Sequence, residues 1–257
     1  MNVVYRTKLT NDSIVVDVSN KDSVQQLIQN IRPDLILNCI GVLINGSKNH
    51  PDNAILINAY FPHLLKKISD EIGAKLIHIS TDCVFSGKKG NYTESDFRDA
   101  DDIYGRSKAL GEIINDKDLT IRTSIIGPEL KIGGEGLFHW FMQQKGTING
   151  FKSAIWGGVT TLELAKAIDY AITQNQTGLI QLSNGIGITK YDLLHLFKKI
   201  WNRKDIKIHP FDGNGVDKSI AKSKRFDYRV PGYEEMLIEQ FEWMNDKREL
   251  YPQYFDF

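Results

Sequence analysis

Asp34 to Ile40 reads Asp-Leu-Ile-Leu-Asn-Cys-Ile, a nearly continuous apolar run. Such a run suits a parallel strand covered on both faces. Lys75 to Ser80 repeats the pattern, and Leu119 to Ile126 and Gly178 to Leu182 read as further strands. Ser13 to Val18 reads as a short strand rich in β-branched residues. Stretches of helical character lie between these runs. Asn20 to Ile31 places Val24, Leu27, Ile28 and Ile31 at helical spacing, with Asn20 as N-cap and Pro33 as the stop. Pro51 to Ile72, Asp102 to Ile114 and Thr160 to Gln174 are also read as helices. Strand and helix alternating in this way predict an α/β chain with a doubly wound parallel sheet. The rhythm breaks over Asn202 to Phe257, which holds Pro210, Pro231 and Pro252. The expected division is therefore a Rossmann-like core, residues 1–126 plus 159–184, and a small, mainly C-terminal lobe, residues 127–158 plus 185–257.

Composition narrows the function classes. The 257 residues carry 32 basic and 32 acidic side chains. With no broad basic field, neither nucleic acid nor an anionic membrane is an expected partner. No apolar run is long enough to cross a bilayer, and the first residues do not read as a signal peptide. Cys39 and Cys83 offer no disulfide framework and no zinc spacing, so a reducing cytoplasm is the simplest setting. His139 and His209 stand alone, and no metal is expected.

Open α/β sheets bind ligands beyond the carboxyl ends of their strands. The residues following the strands are Asn38, Cys39, Ile40 and Gly41, then Ser80, Thr81, Asp82, Cys83 and Val84, then Thr123 and Ser124. Tyr104 and Lys108 stand four apart in a predicted helix, which puts them on one face. A cation beside a phenol favours the tyrosinate, so Tyr104 could exchange a proton near neutral pH. Hydride transfer to a carbonyl, with tyrosine as proton donor and a Ser or Thr hydroxyl on the substrate oxygen, is the chemistry that needs these parts.

Several stretches together carry a resemblance. They are Asp17-Val-Ser-Asn, Pro33-Asp-Leu-Ile-Leu-Asn-Cys-Ile-Gly41, Ile57-Asn-Ala, Ile79-Ser-Thr-Asp-Cys-Val-Phe-Ser-Gly87, Asn91-Tyr-Thr-Glu94, Tyr104-Gly-Arg-Ser-Lys-Ala-Leu-Gly-Glu112 and Ile121-Arg-Thr-Ser124. The chain resembles the extended short-chain dehydrogenases/reductases, within them the dTDP-4-dehydrorhamnose reductase branch. The resemblance implies NADPH, with NADH as the other nicotinamide option, reducing the C4 keto group of a nucleotide-linked 4-keto-6-deoxy sugar for surface polysaccharide synthesis. It implies Thr81, Tyr104 and Lys108 as catalytic residues, Lys108 also holding the nicotinamide ribose. Arg6, Asp17, Val18, Asn38, Cys39, Ile40, Gly41 and Asn58 would border the cofactor, and Thr81, Val84, Trp156 and Asp217 the sugar nucleotide. It also implies that a homodimer is common.

The family opens with a strand, a Gly-x-x-Gly-x-x-Gly loop and a helix, which cradle the pyrophosphate. This sequence has no such opening. Met1 to Thr7 aligns with the family's second strand, so about thirty residues, the first strand included, are expected to be missing. Either the start is artificial or degenerate, or Asn2 to Arg6 slides into the central sheet position. Two further functions stay open beside the reductase. One is a non-catalytic nucleotide-binding or regulatory subunit, or an inactive fragment; the other is a sugar-nucleotide epimerase. Asp82-Cys83 after Thr81, where related dehydratases carry Asp-Glu, favours simple reduction.

Overall fold

Helix α1 (Lys21–Ile31) starts where its sequence says it should: the Asn20 side chain accepts the Ser23 N–H at 3.1 Å. It ends on Arg32, which turns left-handed with φ 47° just before Pro33. These features belong to a computed structural model that describes residues 4–5, 13–130, 133–213 and 215–255. Before α1 come β1 (Val4–Tyr5) and β2 (Ile14–Val15). After it come β3 (Leu35–Asn38), α2 (Ile44–Asn49), α3 (Pro51–Ala54), a π-helical turn (Ile55–Tyr60) and α4 (Phe61–Ile72). Next are β4 (Lys75–Thr81), α5 (Ile103–Leu110) and β5 (Leu119–Thr123). The remainder comprises β6 (Ile125–Ile126), α6 (Leu137–Met142), β7 (Gly146–Phe151), β8 (Ala154–Trp156), β9 (Val159–Thr160), α7 (Thr161–Thr173) and β10 (Gly178–Gln181). Then follow β11 (Ile188–Thr189), α8 (Lys190–Ile200), β12 (Ile206–Phe211), β13 (Val216–Asp217) and α9 (Tyr233–Asp246).

The chain divides into two compact units. The first is Met1–Ser80, Asp101–Ile121 and Thr177–Leu179. It holds the amino-terminal parts of a four-stranded sheet of order β10-β5-β4-β3, in which β3 and β4 run parallel from Leu35↔Lys75 to Asn38↔His78. Val4–Tyr5 do not take a central place in that sheet. They pair in parallel with Ile14–Val15 as a separate two-stranded sheet. The two-stranded sheet corresponds to the 3-2 portion of the doubly wound order 3-2-1-4-5-6, and β3, β4 and β5 to its 4-5-6 portion, with β10 added beyond β5. Among the described residues no strand joins the two sheets. Leu37 is accordingly 43% exposed on β3, a large loss of cover for a strand read as buried on both faces. Burial in this unit is concentrated where α1 and α4 pack, through Val24, Phe61, Leu64, Leu65 and Ile68, against Leu76 and Ile113.

The second unit is Thr81–Ala100, Arg122–Gln176 and Ile180–Phe257. Its core gathers Phe138, Phe141, Trp156, Phe197, Trp201 and Met244. Parallel strands β7 and β12 pair over six positions, Gly146↔Ile206 to Phe151↔Phe211. The aromatic run Phe138-His-Trp-Phe141 divides as α6 geometry requires, with Phe138 and Phe141 buried three apart and Trp140 exposed.

Two predicted elements are interrupted. Pro51 to Ile72 contains the π-helical turn, and Leu119 to Ile126 breaks at Ser124 into β5 and β6. Helix α5 is shorter than expected because Gly111 ends it, not a residue near Ile114.

Candidate active site

The Asp102 carboxylate starts α5 by accepting the Gly105 N–H at 2.8 Å. That fixes the helical frame in which Tyr104 and Lys108 share a face, as their spacing predicted. Tyr104 is half-buried, while Lys108 is only 5% exposed. The Lys108 ammonium donates to the Ile79 carbonyl at 2.7 Å, near the end of β4. Burial pushes Lys108 down to about 8, with Glu112 and Cys39 pulling it back up.

A folded value below the ordinary lysine range means that the native state sheds this proton first as pH rises. Between about 8 and the ordinary value of 10.5 the unfolded chain binds more proton at this site, so its contribution to stability increases with pH across that window. The buried ammonium is most costly below about pH 8. The melting temperature of Lys108→Met minus that of the parent should therefore be larger at pH 7 than near pH 10, whatever offset the lost Ile79 hydrogen bond and Glu112 partner add at every pH. Thermal melts of both proteins across that range check it; a constant gap would refute the burial cost.

At the end of β3, the buried Asn38 amide donates to His78 Nδ1 at 3.0 Å, and its Oδ1 accepts the Ile40 N–H at 3.1 Å. An amide nitrogen only donates, so Nδ1 is the acceptor and the neutral ring carries its proton on Nε2. Burial, with the Lys108 and His63 charges, holds His78 well below its ordinary value, so it is neutral at physiological pH. Cys39 is an exposed residue, yet desolvation of its thiol raises its pKa, against the pull of Lys108. Asn38, Cys39 and Lys108 thus come together in the first unit.

Asn58 ties the loop after β3 to α5. Its Oδ1 accepts the Val42 N–H at 2.8 Å, and its Nδ2 donates to the Val42 carbonyl at 2.9 Å and to Ser107 Oγ at 3.2 Å. It sits within the π-helical turn, a local distortion often found at functional sites. Gly111 packs on the same residue: a Cβ there would lie 2.0 Å from the Asn58 carbonyl oxygen. Gly111→Ala should displace α5 and cost about 2 kcal/mol of stability, read as a lower denaturation midpoint in urea. An unchanged midpoint would mean that the contact is easily relieved.

The remaining predicted residues stand as follows. Asp17 is exposed, and its Oδ1 accepts the Ser19 N–H at 3.0 Å and the Ser19 hydroxyl at 2.7 Å. Val18 packs on the core of the first unit. Arg6 lies outside the described residues. In the second unit Thr81 Oγ1 accepts the Cys83 N–H and donates to Asp82 Oδ1, each at 3.1 Å. Val84 is fully buried. Trp156 is buried too, its Nε1 donating to Ser124 Oγ at 2.9 Å. Asp217 accepts the Ser219 N–H at 2.9 Å and packs against Gly90.

The sequence reading gave no role to Ser80, His78 or Glu112. Ser80 Oγ donates to Glu112 Oε1 at 2.7 Å, both buried. A signal for Glu112 existed, since it stands four residues after Lys108 as Lys108 does after Tyr104. No local pattern links His78 to Asn38, forty residues away.

Comparison with known proteins agrees with this frame. The family described as RmlD substrate binding domain matches residues 5–147, more than half of the chain. The chain belongs to the RmlD substrate-binding-domain family. It is 36% identical over 98 residues to dTDP-4-dehydrorhamnose reductase of Escherichia coli K12, covering 37% of this chain and 33% of that protein. It is 36% identical over 116 residues to the spore coat polysaccharide biosynthesis protein SpsK of Bacillus subtilis 168, covering 43% of this chain and 41% of that protein. The match thus spans about a third to two-fifths of these curated relatives. A crystal structure of dTDP-4-dehydrorhamnose reductase from Bacillus anthracis Ames, in complex with NADP, superposes with a TM-score of 0.79 at 24% identity, covering 89% of this chain and 87% of that one. That superposition establishes the Rossmann-like α/β fold.

Proposed function

We propose that this chain is an NADPH-dependent reductase of the C4 keto group of a nucleotide-linked 4-keto-6-deoxy sugar. The observation that carries the proposal is the buried Lys108 ammonium on the same helix face as Tyr104. Among the described residues its one hydrogen bond is to the Ile79 carbonyl. An ammonium has three donors, so two are left for hydroxyl groups such as those of a ribose. The nicotinamide-ribose end of the cofactor therefore fits Lys108, with Asn38, Cys39, Ile40 and Gly41 bordering it. The pyrophosphate end has no Gly-x-x-Gly-x-x-Gly counterpart in the 257 residues. Asp17 and Val18 carry over as contacts of the adenine side.

When bound, the reduced nicotinamide supplies a hydride to the C4 carbonyl carbon. The chain's own contribution is a proton from the Tyr104 hydroxyl to the C4 oxygen. Lys108, positively charged below about pH 8, stabilises the tyrosinate left behind. Thr81, Val84, Trp156 and Asp217 are proposed as substrate contacts, with residues 127–158 and 185–257 as the substrate lobe. A homodimer is part of the proposal, supported by the exposed apolar Ile55, Tyr60, Ile103 and Leu110 of the first unit. No described helix is long and apolar enough to cross a membrane.

NADPH fluorescence titration of the purified chain, followed by NADPH oxidation with a dTDP-4-keto-6-deoxy sugar, tests the reading. Binding in the micromolar range and turnover that declines above about pH 8, as Lys108 loses its proton, are expected. Binding without turnover would favour a regulatory subunit, and no binding would remove the reductase reading.

A further inference from the structure

Two hydrogen bonds join α5 and the residue after its Gly111 cap to adjacent positions of β4. Lys108 Nζ donates to the carbonyl of Ile79 at 2.7 Å, and Ser80 Oγ donates to Glu112 Oε1 at 2.7 Å. Lys108, Glu112 and Ser80 are all buried. Glu112 follows the Gly111 cap directly, and that cap is pressed on the Asn58 carbonyl. A carboxylate taken this far out of water needs a donor or a charge partner. Ser80 supplies one hydroxyl donor, and Lys108 is a cation on which the carboxylate acts.

We infer that Glu112, anchored by Ser80, is a positioning residue for Lys108: it locks the end of α5 onto β4 and keeps a carboxylate within reach of the buried ammonium. Tyr104 then works beside a cation whose place and charge are both held from just past the carboxyl end of α5. This extends the reductase reading, since it concerns the lysine that reading relies on. The other titratable groups acting on or acted on by Lys108 are Cys39, beyond β3, and His78, on β4. His78 is held neutral, and its protonated form would repel the ammonium, so it offers no counter-charge in either state. Desolvation raises the Cys39 pKa, and its pull on Lys108 is smaller than that of Glu112.

The test is the titration of Lys108 itself in the full chain, without cofactor or substrate. Protein labelled with 13C-lysine shows the Lys108 Cε resonance, assigned by its loss in Lys108→Met. Its midpoint in the parent should lie near 8. In Glu112→Gln, which keeps an oxygen for Ser80 but removes the charge, the midpoint should fall by about 1 pH unit. Ser80→Ala, which removes the hydroxyl that holds Glu112 Oε1, should lower it by about half as much. A purely structural Glu112 would change stability in both variants and leave the midpoint where it was, and that result overturns the inference. Should Glu112→Gln fail to fold, Ser80→Ala decides alone, an unmoved midpoint again being the refuting outcome. Because no ligand is present, a parent chain that binds no NADPH would remove the reductase reading and leave this measurement intact.

Discussion

Replacing Tyr104 by Phe is expected to lower the rate of sugar-nucleotide reduction about a thousandfold, the usual scale for loss of a positioned general acid. The substitution removes one oxygen and keeps the ring, so α5 and its Asp102 cap should be undisturbed. NADPH affinity should stay within about twofold, because the ribose contact assigned to this helix belongs to Lys108. The alkaline decline of the residual rate should vanish with the hydroxyl, since Lys108 near 8 has no phenol left to tune. Single-turnover oxidation of NADPH by parent and variant, with binding measured separately, checks all three. A variant that keeps more than about a tenth of the parent rate would show that the proton comes from elsewhere.

Arg203→Ala is expected to give the largest loss of stability, about 3 kcal/mol. Arg203 is 2% exposed and lies in the turn between α8 and β12. Its Nη1 donates to the Met142 carbonyl at 2.7 Å and its Nη2 to the Gln144 carbonyl at 2.5 Å. Its Nε and Nη2 also hold both Asp205 oxygens, at 2.9 and 2.7 Å. The guanidinium thus fastens the end of α6 to the start of β12, above the buried Phe141 ring. Truncation would strand two carbonyls and open space beside that ring. Arg203→Lys should recover less than half of the loss, because one ammonium cannot reproduce a four-bond fork. Asp205→Ala is the internal control. That carboxylate is substantially exposed, so its removal should cost under about 1 kcal/mol. Urea denaturation of the three variants, followed by tryptophan fluorescence, measures the ranking. If Asp205→Ala cost as much as Arg203→Ala, the ion pair and not the carbonyl clamp would be the source of stability.

The residues that proved easiest to read from the sequence act on near neighbours. Asn20 caps α1 through a group three residues away, Pro33 follows a helix end, and Tyr104 and Lys108 share a face because they are one turn apart. The apolar run at Leu35 correctly marked a parallel strand, since β-branched and long aliphatic side chains pack well on a pleated surface. Several features could not be read this way. The π-helical turn at Ile55–Tyr60 arises where Asn58 must meet Val42 and Ser107 and accommodate Gly111, contacts that span up to 53 residues. The break of the long strand at Ser124 comes with the approach of Gly158, whose Cβ would lie 2.0 Å from the Ser124 carbonyl oxygen.

By itself, then, the sequence determined the alternation of strands and helices, the N-cap of α1, and the Tyr104–Lys108 pair. Each depends on hydrogen bonds or side-chain faces within one or two turns, where chain connectivity already supplies the proximity. Only the tertiary structure decided that Val4–Tyr5 pair with Ile14–Val15 apart from the four-stranded sheet. It alone decided that Asn38 meets His78, which burial keeps neutral, and that Lys108 is buried deeply enough to titrate near 8 beside Glu112. A pKa is set by the loss of water around a charge and by the charges that packing brings near it. Neither quantity exists until distant segments of the chain have met.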